Sequence, residues 1–140
     1  MTRWFPDAMP QPMADNDSVA FWKAAAEHRL VVQCCSDCSR KRLPAAPVCP
    51  SCRSDASDWQ DVSGRGELYT YTIVHRAIAA DQQLPFVIAV IELDGAEGVR
   101  IISNLVETPL ENLKIGMAVE VVWEDMGPEL AIPRFRALPD

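Results

Sequence analysis

Two Cys-x-x-Cys pairs, Cys35-Ser36-Asp37-Cys38 and Cys49-Pro50-Ser51-Cys52, constrain the fold of this chain more than any other feature. Each tight turn offers two sulfurs on one side, and two facing turns complete a tetrahedron of thiolates around a metal ion. Four soft, charge-rich ligands leave no open position for water, so such a site supports folding and hydrolyses nothing. The spacing predicts one structural Zn2+ held by Cys35, Cys38, Cys49 and Cys52. Disulfide pairing would make the repeated spacing a coincidence. A dithiol redox motif would need a thioredoxin-like βαβ surround, which the sequence lacks. Cys34 adjoins Cys35, and adjacent side chains on an extended segment point to opposite faces, so the two do not readily serve one ion. Cys34 reads as a bystander, a small hydrophobe.

The rest of the 140 residues arranges itself around this ribbon in three parts, 1–29, 30–61 and 62–140. The first is an irregular arm with Pro6, Pro10 and Pro12, followed by a helix that Asp15, Asp17 or Ser18 can cap and that runs to about His28. Phe21, Trp22 and Ala25 form its apolar stripe, and Lys23 and Glu27 stand one turn apart. The stripe packs on the rest of the fold or reaches across a subunit boundary. In the second part, Leu30-Val31-Val32-Gln33 is a short strand leading into the first knuckle, and Arg40, Lys41 and Arg42 form a basic cluster after it.

From Val62 onward the pattern changes to strands. Glu67 to His75 alternates, with Tyr69, Tyr71 and Ile73 expected on one face and Leu68, Thr70, Thr72 and Val74 on the other. Further strands run over Phe86–Leu93, Val99–Val106, Met117–Trp123 and Leu130–Ala137, with a short helical turn at Pro109–Leu113. Five strands with an insert between the third and fourth predict a small Greek-key barrel of the OB type, so the fold class is mainly β.

Charge narrows the function. At a formal −7 and a pI near 4.8, the chain is unlike nucleic-acid domains, which carry a concentrated positive face. No apolar run approaches the ~18 residues of a membrane span. The start lacks the basic flank and apolar core of a secretory signal. A cytoplasmic protein with no membrane or nucleic-acid partner is expected. Its two histidines suggest no catalysis: His28 suits a helix end and His75 a strand end. Glu92 and Asp94 read as a solvated rim, and there is no nucleophile elbow or Gly-rich phosphate loop.

Several segments together resemble the zinc-ribbon plus OB-fold proteins of the acyl-CoA-associated kind, a family long catalogued as a domain of unknown function. They are Phe21-Trp22, the strand before the first knuckle, Pro47-Val48-Cys49-Pro50-Ser51-Cys52 and Gly64-Arg65-Gly66. They continue with Ile91-Glu92-Leu93-Asp94, Asn104-Leu105-Val106, Ile115-Gly116-Met117 and Pro133-Arg134-Phe135-Arg136. The resemblance implies a helical arm, a rubredoxin-like ribbon and an OB barrel. It also implies a non-catalytic accessory subunit of thiolase-superfamily enzymes acting on acyl-CoA thioesters, in a heterotetramer with two copies of each chain. Relatives act beside acyltransferases, sterol-side-chain aldolases of thiolase fold, and MaoC-type hydratases. The chain departs from the family in having Ser39 and Arg53 where glycine often follows each knuckle. Arg134 and Arg136, two apart on a strand, can face the same way and contact CoA phosphates or a partner's acidic surface. Two other classes stay open at this stage: an OB-fold nucleic-acid binder with a zinc ribbon, and a rubredoxin-like electron carrier.

Overall fold

The computed structural model describes residues 3–77 and 79–139. After the proline-rich arm comes helix α1 (Val19–Ala26). Its start is organised by Asp15 and Ser18. The Asp15 carboxylate accepts the Ser18 N–H at 2.8 Å, and Ser18 Oγ accepts the Asp15 N–H at 3.0 Å, a reciprocal box. These Ser18 hydrogen bonds also hold the Asp15 carboxyl below its ordinary range. Past the helix, His28 takes a left-handed φ of 58° that turns the chain into the next strand. Glu27 bonds Arg29 at 3.0 Å, and Arg29 also bonds Asp61. The expected Lys23 partner is passed over for an arginine that Asp61 already orients.

Three strands make the ribbon sheet: β1 (Val31–Cys35), β2 (Lys41–Arg42) and β3 (Ser57–Asp61), in the order β2-β1-β3. The five remaining strands are β4 (Arg65–Val74), β5 (Phe86–Leu93), β6 (Arg100–Leu105), β7 (Ala118–Asp125) and β8 (Ala131–Ala137). They close a barrel in the order β4-β5-β6-β8-β7, with a 3-10 turn at Leu110–Asn112 between β6 and β7. This is the expected OB-type barrel. Its one parallel junction, β6 on β8, is held in register at Leu105 and Phe135.

The core runs through Leu68, Ile91, Val119 and Phe135 and continues into Phe21, Val31 and Val32. Helix α1 packs on both β1 and β8 and so joins ribbon to barrel. Phe21 is 9% exposed, and burying a phenylalanine contributes roughly 1.5–3 kcal/mol. Phe21 and the fully buried Ala25 therefore pack on their own chain, while Trp22 is half-buried.

Strand β4 departs from simple alternation. A bulge between Leu68 and Thr70 inserts one residue into its pairing with β5. An extra residue resets the two-residue period. Leu68 thus faces the core before the bulge, and Tyr71 and Ile73 pack against it after. Tyr69 is turned outward beneath the Arg100 guanidinium, 3.8 Å from its ring centroid. The expectation that Tyr69, Tyr71 and Ile73 share a face is corrected by that one inserted residue. The glycines nearby are steric: a Cβ on Gly64 would lie 2.3 Å from Val121 Cγ1, and one on Gly66 2.3 Å from the Glu92 carbonyl oxygen.

Candidate metal centre

The two knuckles are built alike. Cys35 N–H donates to the Arg40 carbonyl and Ser39 N–H to the Cys35 carbonyl; Cys49 N–H donates to Ser54 and Arg53 N–H to Cys49, all at 2.8–3.0 Å. Each turn is completed by a residue with left-handed backbone, Ser39 at φ 66° and Arg53 at φ 64°. The resemblance leads one to expect glycine at these positions, and the conformation is kept without it. Side chains tie one knuckle to the other: Arg40 Nη1 donates to Ser51 Oγ, and Ser54 Oγ donates to the Asp37 carboxylate.

The result brings the four sulfurs of Cys35, Cys38, Cys49 and Cys52 within 4.8 Å of one another. The closest approaches are 3.5 Å for Cys35–Cys52 and 3.6 Å for Cys38–Cys49. A tetrahedral tetrathiolate with metal–sulfur bonds of ~2.3 Å has sulfur–sulfur edges of about 3.8 Å. A disulfide would need ~2.05 Å. The cage therefore fits a zinc-sized ion.

Electrostatics agree with the fit. The first cysteine of each knuckle accepts backbone N–H groups of its own turn. The Cys38 N–H lowers Cys35, and the Cys52 N–H chiefly brings Cys49 down to about 6. In the second cysteines the N–H groups of Arg40 and Ser54 pull downward, but neighbouring sulfurs and lost hydration outweigh them, raising Cys38 and pushing Cys52 up to about 12. Four thiolates this close cannot all ionise without a cation among them, and a divalent metal supplies that charge. Cys35 and Cys49 are buried while Cys38 and Cys52 are exposed, so one side of the cage meets solvent. Cys34 stands outside the group, with its sulfur 3.6 Å from the Ser39 carbonyl oxygen.

The basic residues are placed differently from the expectation. Arg40, Lys41 and Arg42 do not form one surface. Arg40 bridges the knuckles, Lys41 reaches the Gly95 carbonyl of the barrel at 2.8 Å, and Arg42 is buried against the Ala46 carbonyl at 2.9 Å. Alternation along β2 sends Lys41 and Arg42 to opposite sides.

Arg134 and Arg136 both engage the chain's own carboxylates. Arg136 bonds Glu120 at 3.0 Å and Glu107 at 3.1 Å. Arg134 bonds Glu124 at 2.8 Å and Asn104 at 2.7 Å.

Glu124 is the polar residue that periodicity hides. On β7 it is fully buried, and its other carboxylate oxygen accepts the backbone N–H groups of Trp4 and Phe5. Phe5 in turn lies under Arg134 at 4.5 Å and edge-on to Phe86 at 5.8 Å. One buried ion pair thus latches the arm to the barrel. The signal in the sequence was weak: an acid between Trp123 and Asp125 at a strand end looks like a rim residue. His28 serves a similar end, with its ring stacked on Trp123 at 5.4 Å and Nε2 2.6 Å from Asp125.

Comparison with known proteins follows the same division. Residues 22–58 match the family model described as the ChsH2 rubredoxin-like zinc ribbon domain, and residues 59–124 match the ChsH2 C-terminal OB-fold domain. A probable enoyl-CoA hydratase alpha subunit of Thermomonospora curvata is 36% identical over 127 residues, covering 91% of this chain but only 39% of that relative's length. A DUF35 domain-containing scaffold protein of Methanocaldococcus jannaschii is 35% identical, covering 79% of each chain. Among solved structures, a chain of the Ltp2-ChsH2(DUF35) aldolase superposes with a TM-score of 0.82 at 35% identity, covering 91% of this chain and 98% of that one. This chain belongs to the DUF35 family, as a ChsH2-type zinc ribbon joined to an OB-fold barrel.

Proposed function

We propose that this chain is a non-catalytic, zinc-binding accessory subunit of a thiolase-superfamily enzyme acting on acyl-CoA thioesters, by acyl transfer or by retro-aldol cleavage of a sterol-type side chain. The observation that carries the reading is the likeness, over 98% of its length, to the chain from the Ltp2-ChsH2(DUF35) aldolase. The scaffold names of the archaeal relatives support the accessory role. In this reading Cys35, Cys38, Cys49 and Cys52 hold one Zn2+ that fixes the ribbon, in a cytoplasmic setting where thiols stay reduced. We divide the chain into arm and helix (1–29), ribbon (30–61) and barrel (62–140), and we place it in a complex with two copies of each subunit. Of Arg134 and Arg136, Arg136 is the one offered to a partner carboxylate or a CoA phosphate, since its side chain is 44% exposed against 14% for Arg134. An incoming anion would have to displace Glu107 or Glu120.

The test is reconstitution. Turnover of an acyl-CoA substrate is measured for a candidate thiolase-superfamily enzyme of the same organism, for this chain, and for the two expressed together. Activity confined to, or at least tenfold higher in, the joint preparation is expected. Full activity of the enzyme alone contradicts the proposal. Metal colour separates the rubredoxin alternative, because a ferric tetrathiolate is red and zinc is colourless.

A further inference from the structure

Between the arm, α1, the Leu43-Pro44-Ala45 segment and strands β5, β6 and β8 lies an open cavity of about 770 Å³. That is within the ~300–1,000 Å³ range of small-molecule sites. Its surface is chiefly apolar, with Trp22, Phe86, Ile88, Ile102 and Ile132 in the walls. Pro10, Pro12, Pro44 and Pro133 also line it, and proline brings no backbone N–H.

Apart from the exposed Gln11 at its rim, the polar side chains at its edge are already engaged. Ser103 donates to the Pro133 carbonyl, and Asn104 donates to the Val87 carbonyl while accepting from Arg134. Arg134 is bound to Glu124, and Arg100 to Glu92 and the Tyr69 ring. A wall with so little hydrogen-bonding capacity left holds water poorly and discriminates against polar ligands. The latch keeps the cavity from closing on itself: Glu124 fixes Phe5 against Phe86, so the arm forms a rim and does not fill the space.

We propose that this cavity binds a bulky hydrocarbon, the fused-ring or long-chain apolar part of an acyl group. The assignment of that hydrocarbon to a thioester rests on the function proposed above. The cavity itself does not. Six separate segments meet around it, and a concave site built from so many directions suits a small molecule better than a flat protein surface does.

Equilibrium dialysis of the full, metal-loaded chain tests it, with progesterone as the ring probe and dodecan-1-ol as the chain probe. Saturable binding of one probe per chain is expected, and the probe that binds tells rings from chains. Ile88→Trp, which fills the cavity, should weaken binding at least tenfold. Ile102→Asp should do the same without disturbing folding, because Ile102 is 73% exposed. Circular dichroism and metal content should match the parent in both. The inference is overturned if neither probe saturates, or if binding is unchanged in Ile102→Asp. It is also overturned if assembly with the enzyme expels the probe, since the cavity would then be a socket for the partner's side chains. A chain that binds probe but no enzyme would sink only the accessory-subunit reading. One that assembles but binds no probe would sink only this inference.

Discussion

Ser39 and Arg53 hold left-handed backbone with φ of 66° and 64°, a conformation that disfavours side chains bearing a Cβ. Their persistence at both knuckles shows what the turn requires: the N–H of each must reach back to the carbonyl of the first cysteine. Ser39→Gly and Arg53→Gly should each relieve strain and stabilise the ribbon by about 0.5–1 kcal/mol. Thermal unfolding should show a rise of roughly 2–5 °C per substitution, and a fall would mean the side chains contribute more than their backbone costs. Glu124 presents the opposite case. Its carboxylate is fully buried and its partner Arg134 only 14% exposed, so removing one leaves the other desolvated and unmatched. Glu124→Ala should destabilise by about 3–5 kcal/mol in urea unfolding. It should also hasten proteolysis of the arm, which loses the acceptor for the Trp4 and Phe5 N–H groups. An arm as resistant to protease as the parent's would remove the latch from the account.

At the scale of elements, the ribbon is a small sheet that folds around its cage. Strand β3, the chain's third ribbon strand, was not legible in the sequence. Ser57, Asp58, Gln60 and Asp61 are polar, and only the half-buried Trp59 carries a burial signal. The strand exists because β1 offers five consecutive paired positions, Val31 to Cys35. The barrel strands were legible because alternation and turn residues mark them, and the bulge at Leu68/Thr70 was not, because an inserted residue has no compositional mark. The knuckles were legible because metal ligation demands a spacing. Cys49→Ser should therefore lose about one zinc per chain and unfold the ribbon, whose metal-binding energy in small peptides is about 10–16 kcal/mol. Cys34→Ser should keep the metal. Elemental analysis decides both: a metal-free parent, or a ribbon that stays folded after chelation, contradicts the cage.

On the scale of the molecule, helix α1 joins ribbon and barrel by packing on β1 and β8, and the arm is pinned across the barrel by Glu124. Phe21, which with Trp22 could have reached a partner, is used within the chain, as is Phe5; Trp22 is half-buried, edge-on to Phe21, and lines the cavity. In the proposed complex, contacts with an enzyme would come from exposed surfaces outside the cavity. Exposed apolar residues away from the cavity, such as Ile115, 62% exposed, are the ones such an interface would cover. Membership of the DUF35 family and the match to a chain of the Ltp2-ChsH2(DUF35) aldolase support the proposal that this chain assembles with an enzyme. The most direct measurement is co-expression with a candidate thiolase-superfamily enzyme of the same organism, followed by size-exclusion chromatography with light scattering at micromolar concentration. The account predicts a single peak whose mass equals two copies of each chain, with zinc in proportion. Two separate peaks, each at the mass of its own protein, would contradict it.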